Sequence, residues 1–150
     1  MDYMERNIRP ICLDVTDPER AMMISIITAK SCARIHLEDI EYIEQFGRKL
    51  EIFTGDLQYS VYDNINNLLP YFSRKEFFRA MKGMLINFDK VKNLEEDVIY
   101  FESGRCIAMG RNNFCRTRHA FKKYLKEYPT YQQKESKLMV AEQNAEALEF

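Results

Sequence analysis

Over its first hundred or so positions the chain alternates apolar and polar residues with a period of two, and this pattern predicts strands. Residues 22–28 are apolar and β-branched. Residues 32–37 alternate and would pair with them across Ala29-Lys30-Ser31. Further strands are predicted over 40–44, 49–54 (Leu50, Ile52 and Thr54 on one face) and 58–62, with Gly47 and Gly55-Asp56 as turns. The period changes over 63–69. Ile65, Leu68 and Leu69 fall at helical spacing, with Asp63 as N-cap and Pro70 as the stop. Residues 77–81 and 84–86 read as extended, and 98–101 with 105–109 as a hairpin across Ser103-Gly104. Asn112 would then cap a helix reaching about residue 128, with Phe114, Thr117, Phe121, Tyr124 and Leu125 as its apolar stripe.

Three segments follow: an irregular extension (1–19, with Asp17-Pro18 as a turn), one mostly β domain (20–127), and a polar tail (128–150). In the tail Leu138, Ala141, Ala145 and Leu148 are spaced 3, 4 and 3 apart. That seam would either pair with another helix or fray for want of one.

Composition changes this picture in one place. Hydrophobic residues make up 46% of the 150, enough for a sizeable core, and the net charge is only −1. Yet no acidic residue occurs between Glu102 and Glu127, a stretch that holds Arg105, Arg111, Arg116, Arg118, Lys122, Lys123 and Lys126. A local field of one sign attracts a polyanion even when the whole molecule is near neutral. The cysteines (Cys12, Cys32, Cys106, Cys115) form no CxxC pair and show no zinc-ligand spacing, so they read as reduced, partly buried small hydrophobes. Asp2, Glu5, Arg6 and Arg9 interrupt any signal-peptide core, and the apolar run 21–27 is too short to span a bilayer. A cytoplasmic protein is expected.

The search for catalysis is negative. His36 and His119 sit in no metal or nucleophile motif, there is no Gly-rich phosphate loop, and Glu95-Glu96-Asp97 reads as a solvated turn. No enzyme, metal or cofactor is expected. Arg111 is the better lead, preceded by Gly110 and followed by Asn112-Asn113 at a predicted helix start. A guanidinium fork meets two acceptors of guanine at once, and a helix N-terminus can hold a phosphate. On residues alone, an ordinary solvated basic face explains the stretch equally well.

Three ordered blocks tip that balance. They are Asp39-Ile40-Glu41-Tyr42-Ile43-Glu44, then Phe78-Arg79 with Ile86-Asn87, then Gly104 with Ile107-Ala108-Met109-Gly110-Arg111. In this order and spacing the chain resembles the LytTR family of bacterial DNA-binding domains over roughly residues 20–127. The resemblance implies an elongated stack of antiparallel β-sheets, about ten strands, with small helices and a C-terminal helix. It also implies a transcriptional regulator that reads direct repeats through loops set in the major groove. Base contacts would fall to Arg48, Lys82 and Arg111, and backbone contacts to Lys49, Arg74, Lys75, Arg79, Asn112 and Arg116. Lys82-Gly83 departs from the larger basic or amide residue, often followed by serine, that is usual there. A lysine donates only as a flexible point charge.

Implied partners are double-stranded DNA, a second copy on tandem sites and, by analogy with some stand-alone members, an inhibitory membrane protein. The 19 residues ahead of the domain are too few for the phosphoacceptor receiver that many members carry, so a stand-alone regulator is expected. The alternative is a protein-interaction module on the same fold with weak, non-specific DNA binding.

Overall fold

The computed structural model describes residues 23–127 and the backbone of residues 7–10. The apolar seam of the tail and Cys12 lie outside the described residues. Among the described residues the strands form three antiparallel sheets. The first runs β1(Asn7–Pro10)-β2(Met23–Ile27)-β3(Cys32–His36). The central sheet takes the next five strands, β4(Ile40–Phe46), β5(Lys49–Thr54), β6(Gln58–Tyr62), β7(Phe77–Met81) and β8(Met84–Asn87), in the order β6-β5-β4-β8-β7. The third holds β9(Val91–Glu95), β10(Val98–Phe101) and β11(Cys106–Ala108), with β10 in the middle. A short helix α1(Ile65–Leu68) follows β6, and α2(Arg111–Glu127) closes the domain.

The central sheet is covered on both faces, and the period-two alternation shows how. Ile43, Leu50, Ile52 and Leu85 face one apolar cluster with Ile24, Ile26 and Ile35 of the first sheet and Ile65 and Leu68 of α1. Tyr42, Met84 and Ile86, their neighbours along the same strands, face the other cluster with Ile99 and Phe101 of the third sheet and Phe114 of α2. A sheet buried on both faces needs apolar residues at successive positions, as in Tyr42-Ile43 and Met84-Leu85-Ile86.

Two buried polar residues pin this stack. Asn87 is fully buried; its amide donates to the Ile40 carbonyl (2.8 Å) and its oxygen accepts from the Asp89 N–H (2.9 Å). That ties the end of β8 to the start of β4. There a register shift between Ile40 and Tyr42 accompanies a buried Glu41. A lone buried carboxylate costs several kcal/mol. Arg105 answers it, with Nε 3.4 Å from Oε1 and the guanidinium 5.0 Å from the centre of the Phe53 ring. One cation of the acid-free stretch is therefore turned inward.

Several expectations need correction. Residues 1–19 are not wholly irregular, since Asn7–Pro10 pairs with β2. Strand β9 escapes the alternation rule because Val91 and Leu94 are three apart. A bulge opposite Tyr100/Phe101 takes up the extra residue, so both still face inward. The α1 cap is Asn64, whose side chain accepts from the Asn66 N–H. Asp63 instead accepts from the Asn64 N–H and from the Asn67 amide. Helix α2 begins at Arg111, so Asn112 lies inside its first turn. Cys32, Cys106 and Cys115 are free but exposed, and Leu125 is 43% exposed at the end of its stripe.

Candidate nucleic-acid interface

Two hairpin turns come together at one end of the central sheet. The first joins β4 to β5, with Phe46 and Lys49 paired across Gly47-Arg48. Gly47 has φ of 61° while Arg48 keeps an ordinary φ, the type II′ pattern that matches strand twist and favours glycine first. Arg48 therefore stands at the tip. It is exposed and, among the described residues, makes no hydrogen bond or ion pair. The Lys49 ammonium lies 4.8 Å from the centre of the Tyr62 ring.

The second turn, Lys82-Gly83, joins β7 to β8. Gly83 is pressed against β4. Its carbonyl accepts from the Gln45 N–H at 2.8 Å, and a Cβ there would stand 3.3 Å from Gln45 Cβ. Arg79 closes the turn from beneath: Nε donates to the Lys82 carbonyl at 3.0 Å, and Nη2 donates to that carbonyl and to Asn66 Oδ1 (3.0 Å). With its own carbonyl held, Lys82 projects an exposed ammonium from a fixed base.

Gln45 links the two turns, and sequence reading did not single it out. Its Nε2 donates to the carbonyls of Gly47 (2.9 Å) and Asp63 (3.0 Å), and its Oε1 accepts from the Ile65 N–H (2.7 Å). One half-buried amide thus binds the Arg48 turn, the start of α1 and, through its backbone, the Lys82 turn. Depressions of about 270 Å³ lie on either side of it, one edged by Arg48 and the other by Lys82. Next to Gln45 on β4, burial pushes the Glu44 carboxyl up from its ordinary value. Burial, then the nearby Glu44 carboxylate, does the same to the Tyr42 hydroxyl.

Arg111 is the first residue of α2, a helix with no acidic residue in its first turn. Its side chain is 75% exposed, and Nη1 is 3.2 Å from Asp97 Oδ1 in the β9–β10 turn. Arg116, about one and a half turns on, fastens this end of α2 to β7. Its Nη2 donates to the carbonyls of Arg79 (3.0 Å) and Ala80, and its guanidinium is 5.0 Å from the centre of the Phe78 ring. The strand that α2 grips at Arg79-Ala80 is the one that ends in the Lys82 turn. Asn112 is exposed beside Arg111.

The expected site residues therefore divide. Arg48, Lys82 and Arg79 gather around Gln45, with Lys49 next to Arg48 over the Tyr62 ring, and Arg111, Asn112 and Arg116 gather around the start of α2. Arg79 and Arg116 have part of their guanidinium groups committed to backbone carbonyls. Arg74 and Lys75 precede β7 and so stand at its other end, about 20 Å from Lys82 at strand rise. Arg74 is paired with Glu76 at 2.8 Å.

A family model for the LytTr DNA-binding domain matches residues 30–128. The chain belongs to the LytTR family of DNA-binding domains. Its fold agrees with that of the LytTr DNA-binding domain of a protein from Bacillus cereus described as a methyl-accepting/DNA response regulator. The TM-score is 0.58 at 12% identity, over 66% of this chain and 95% of that one. No curated protein matches. Membership of LytTR makes DNA the partner and a DNA-binding regulator the general role. Among the described residues no helix is long and apolar enough to cross a membrane. No group of three or more His, Cys, Asp or Glu side chains there could hold a metal ion.

Proposed function

We propose that this LytTR domain is a sequence-specific transcriptional regulator in the bacterial cytoplasm. It reads direct-repeat sites through turns placed in the major groove, with copies on tandem repeats. The observation that carries this reading is the presentation of Arg48 and Lys82. Both are exposed at the tips of braced turns at one end of the sheet, and Arg111 stands at the helix start fastened to the same strand. Affinity comes from phosphate neutralisation and discrimination from base edges. Arg48, Lys82 and Arg111 serve the second purpose. Lys49, Asn112 and the uncommitted N–H groups of Arg79 and Arg116 serve the first. Arg74 and Lys75 would add phosphate contacts only to a duplex laid along β7.

Selection from a random duplex library, followed by salt titration on the enriched sequence, tests this. Arg111→Ala is expected to cost about 1–3 kcal/mol on the enriched duplex and to relax preference at one base pair. Lys49→Ala should weaken all duplexes alike and shrink the log–log salt slope by about one unit. A library that yields no enriched sequence would reject the proposal in favour of a protein-interaction role for the fold.

A further inference from the structure

We propose that Asp97 is a positioning and specificity-determining residue for DNA reading, holding Arg111 in register for one base and turning phosphate away from that loop. This rests on the DNA-reading role given above to Arg111.

The turn that carries Asp97 is unusual. Glu95 and Val98 pair across Glu96-Asp97, and both central residues have positive φ, 51° and 66°. A tight hairpin turn of this kind favours Asn-Gly or Asp-Gly, and glutamate enters it at a steric cost. The Asp97 backbone is fixed as well, its carbonyl accepting from the Met109 N–H at 3.0 Å. Its carboxylate is thus delivered from a rigid base to Arg111, two residues beyond Met109. Binding one edge of the guanidinium through Nη1 leaves Nε and Nη2 free. A long side chain that would otherwise sample many rotamers is aimed before DNA arrives. The exposed pair adds little to stability, so orientation is what it can contribute.

Charge points the same way. Arg111 and Asp97 together are neutral, and Glu95 and Glu96 are exposed beside them. The Lys82 turn has no acid along its depression, and the Arg48 turn has the single carboxylate of Asp63. The third reading position is therefore poorly suited to gripping phosphate without regard to sequence. It gains only where a base edge satisfies the aimed donors.

Full-length protein carrying Asp97→Gly or Asp97→Asn tests this on the enriched and scrambled duplexes, with Arg111→Ala in parallel. Both replacements tolerate positive φ, and matching thermal melts verify the fold. Loss of a repelling charge should raise affinity for scrambled DNA about two- to fivefold in both variants. Preference for the base pair facing Arg111 should fall about two- to fivefold in Asp97→Gly. It should survive in Asp97→Asn, whose side-chain oxygen still accepts from Nη1. Unchanged preference in Asp97→Gly, with preference lost in Arg111→Ala, would overturn this inference and leave the DNA-reading role standing. Unchanged preference in Arg111→Ala would overturn both.

Discussion

Replacing Gln45 by alanine removes the amide that joins the two reading turns while leaving every exposed cation in place. The side chain makes three hydrogen bonds, of which those to the Asp63 carbonyl and from the Ile65 N–H are part-buried and that to the Gly47 carbonyl is exposed. A net intramolecular hydrogen bond contributes about 1 kcal/mol, and leaving a partly buried partner unsatisfied costs about as much again. The exposed bond adds little. Gln45→Ala should therefore destabilise the domain by about 2–4 kcal/mol, read as a lower urea midpoint with an unchanged slope. It should also weaken binding to the enriched duplex about tenfold, because Arg48 and Lys82 no longer hold a fixed separation. Binding to scrambled DNA should not change, since no charge is lost. Gln45→Glu keeps the acceptor for Ile65 but sets a carboxylate oxygen against the carbonyls of Gly47 and Asp63, and should destabilise at least as much as alanine. If the midpoint drops while discrimination between the duplexes is intact, Gln45 supports the fold but does not position the turns. If the midpoint does not move, the hydrogen-bond argument itself is wrong.

Arg105→Ala should destabilise by about 2–4 kcal/mol in thermal or urea unfolding, because it strands the buried Glu41 carboxylate and uncovers Phe53. Its effect on DNA affinity in folded protein should be small, in contrast to the other cations of the acid-free stretch. Glu44→Gln should stabilise the domain at neutral pH. Burial raises the Glu44 carboxyl, so the native state binds the proton more tightly than the unfolded chain. This group's contribution to stability thus falls as pH rises through its raised value, and the benefit of glutamine should fade towards pH 4. Urea midpoints at pH 4 and pH 7 check this, and an equal gain at both would refute it.

Much of the fold was legible because the central sheet obeys a two-sided alternation that single residues reveal. The blocks around Ile40-Glu41-Tyr42-Ile43 and Ile86-Asn87 now have physical reasons: two buried faces, a bulge that turns Glu41 inward, and an asparagine that bonds β8 to β4. Strand β9 was hidden by its bulge, which breaks the period where Val91 and Leu94 both point inward. The site was legible as charge but not as geometry. Nothing in a one-letter string separates Arg48, which makes no bond among the described residues, from Arg105, which faces a buried carboxylate. Nor does it separate either from Arg79 and Arg116, which brace carbonyls. Gln45 carries no charge and sits in a strand pattern, so only the fold shows that it joins two turns. Glu95-Glu96-Asp97 is the solvated turn that its composition predicts. Its bond to Arg111 spans 14 residues and depends on the path of β10 and β11.

Reading of base edges by turn-borne cations in the major groove makes guanine N7 a required acceptor. The most direct test is to replace guanines of the enriched duplex one at a time by 7-deazaguanine, which removes the N7 acceptor and leaves base pairing intact. Discrete affinity losses are expected at a few guanines, clustered about one helical turn apart, with the loss at one of them absent when Arg111→Ala is measured on the same series. Full affinity with every guanine substituted would contradict this reading, since a guanidinium fork on guanine needs the N7 acceptor.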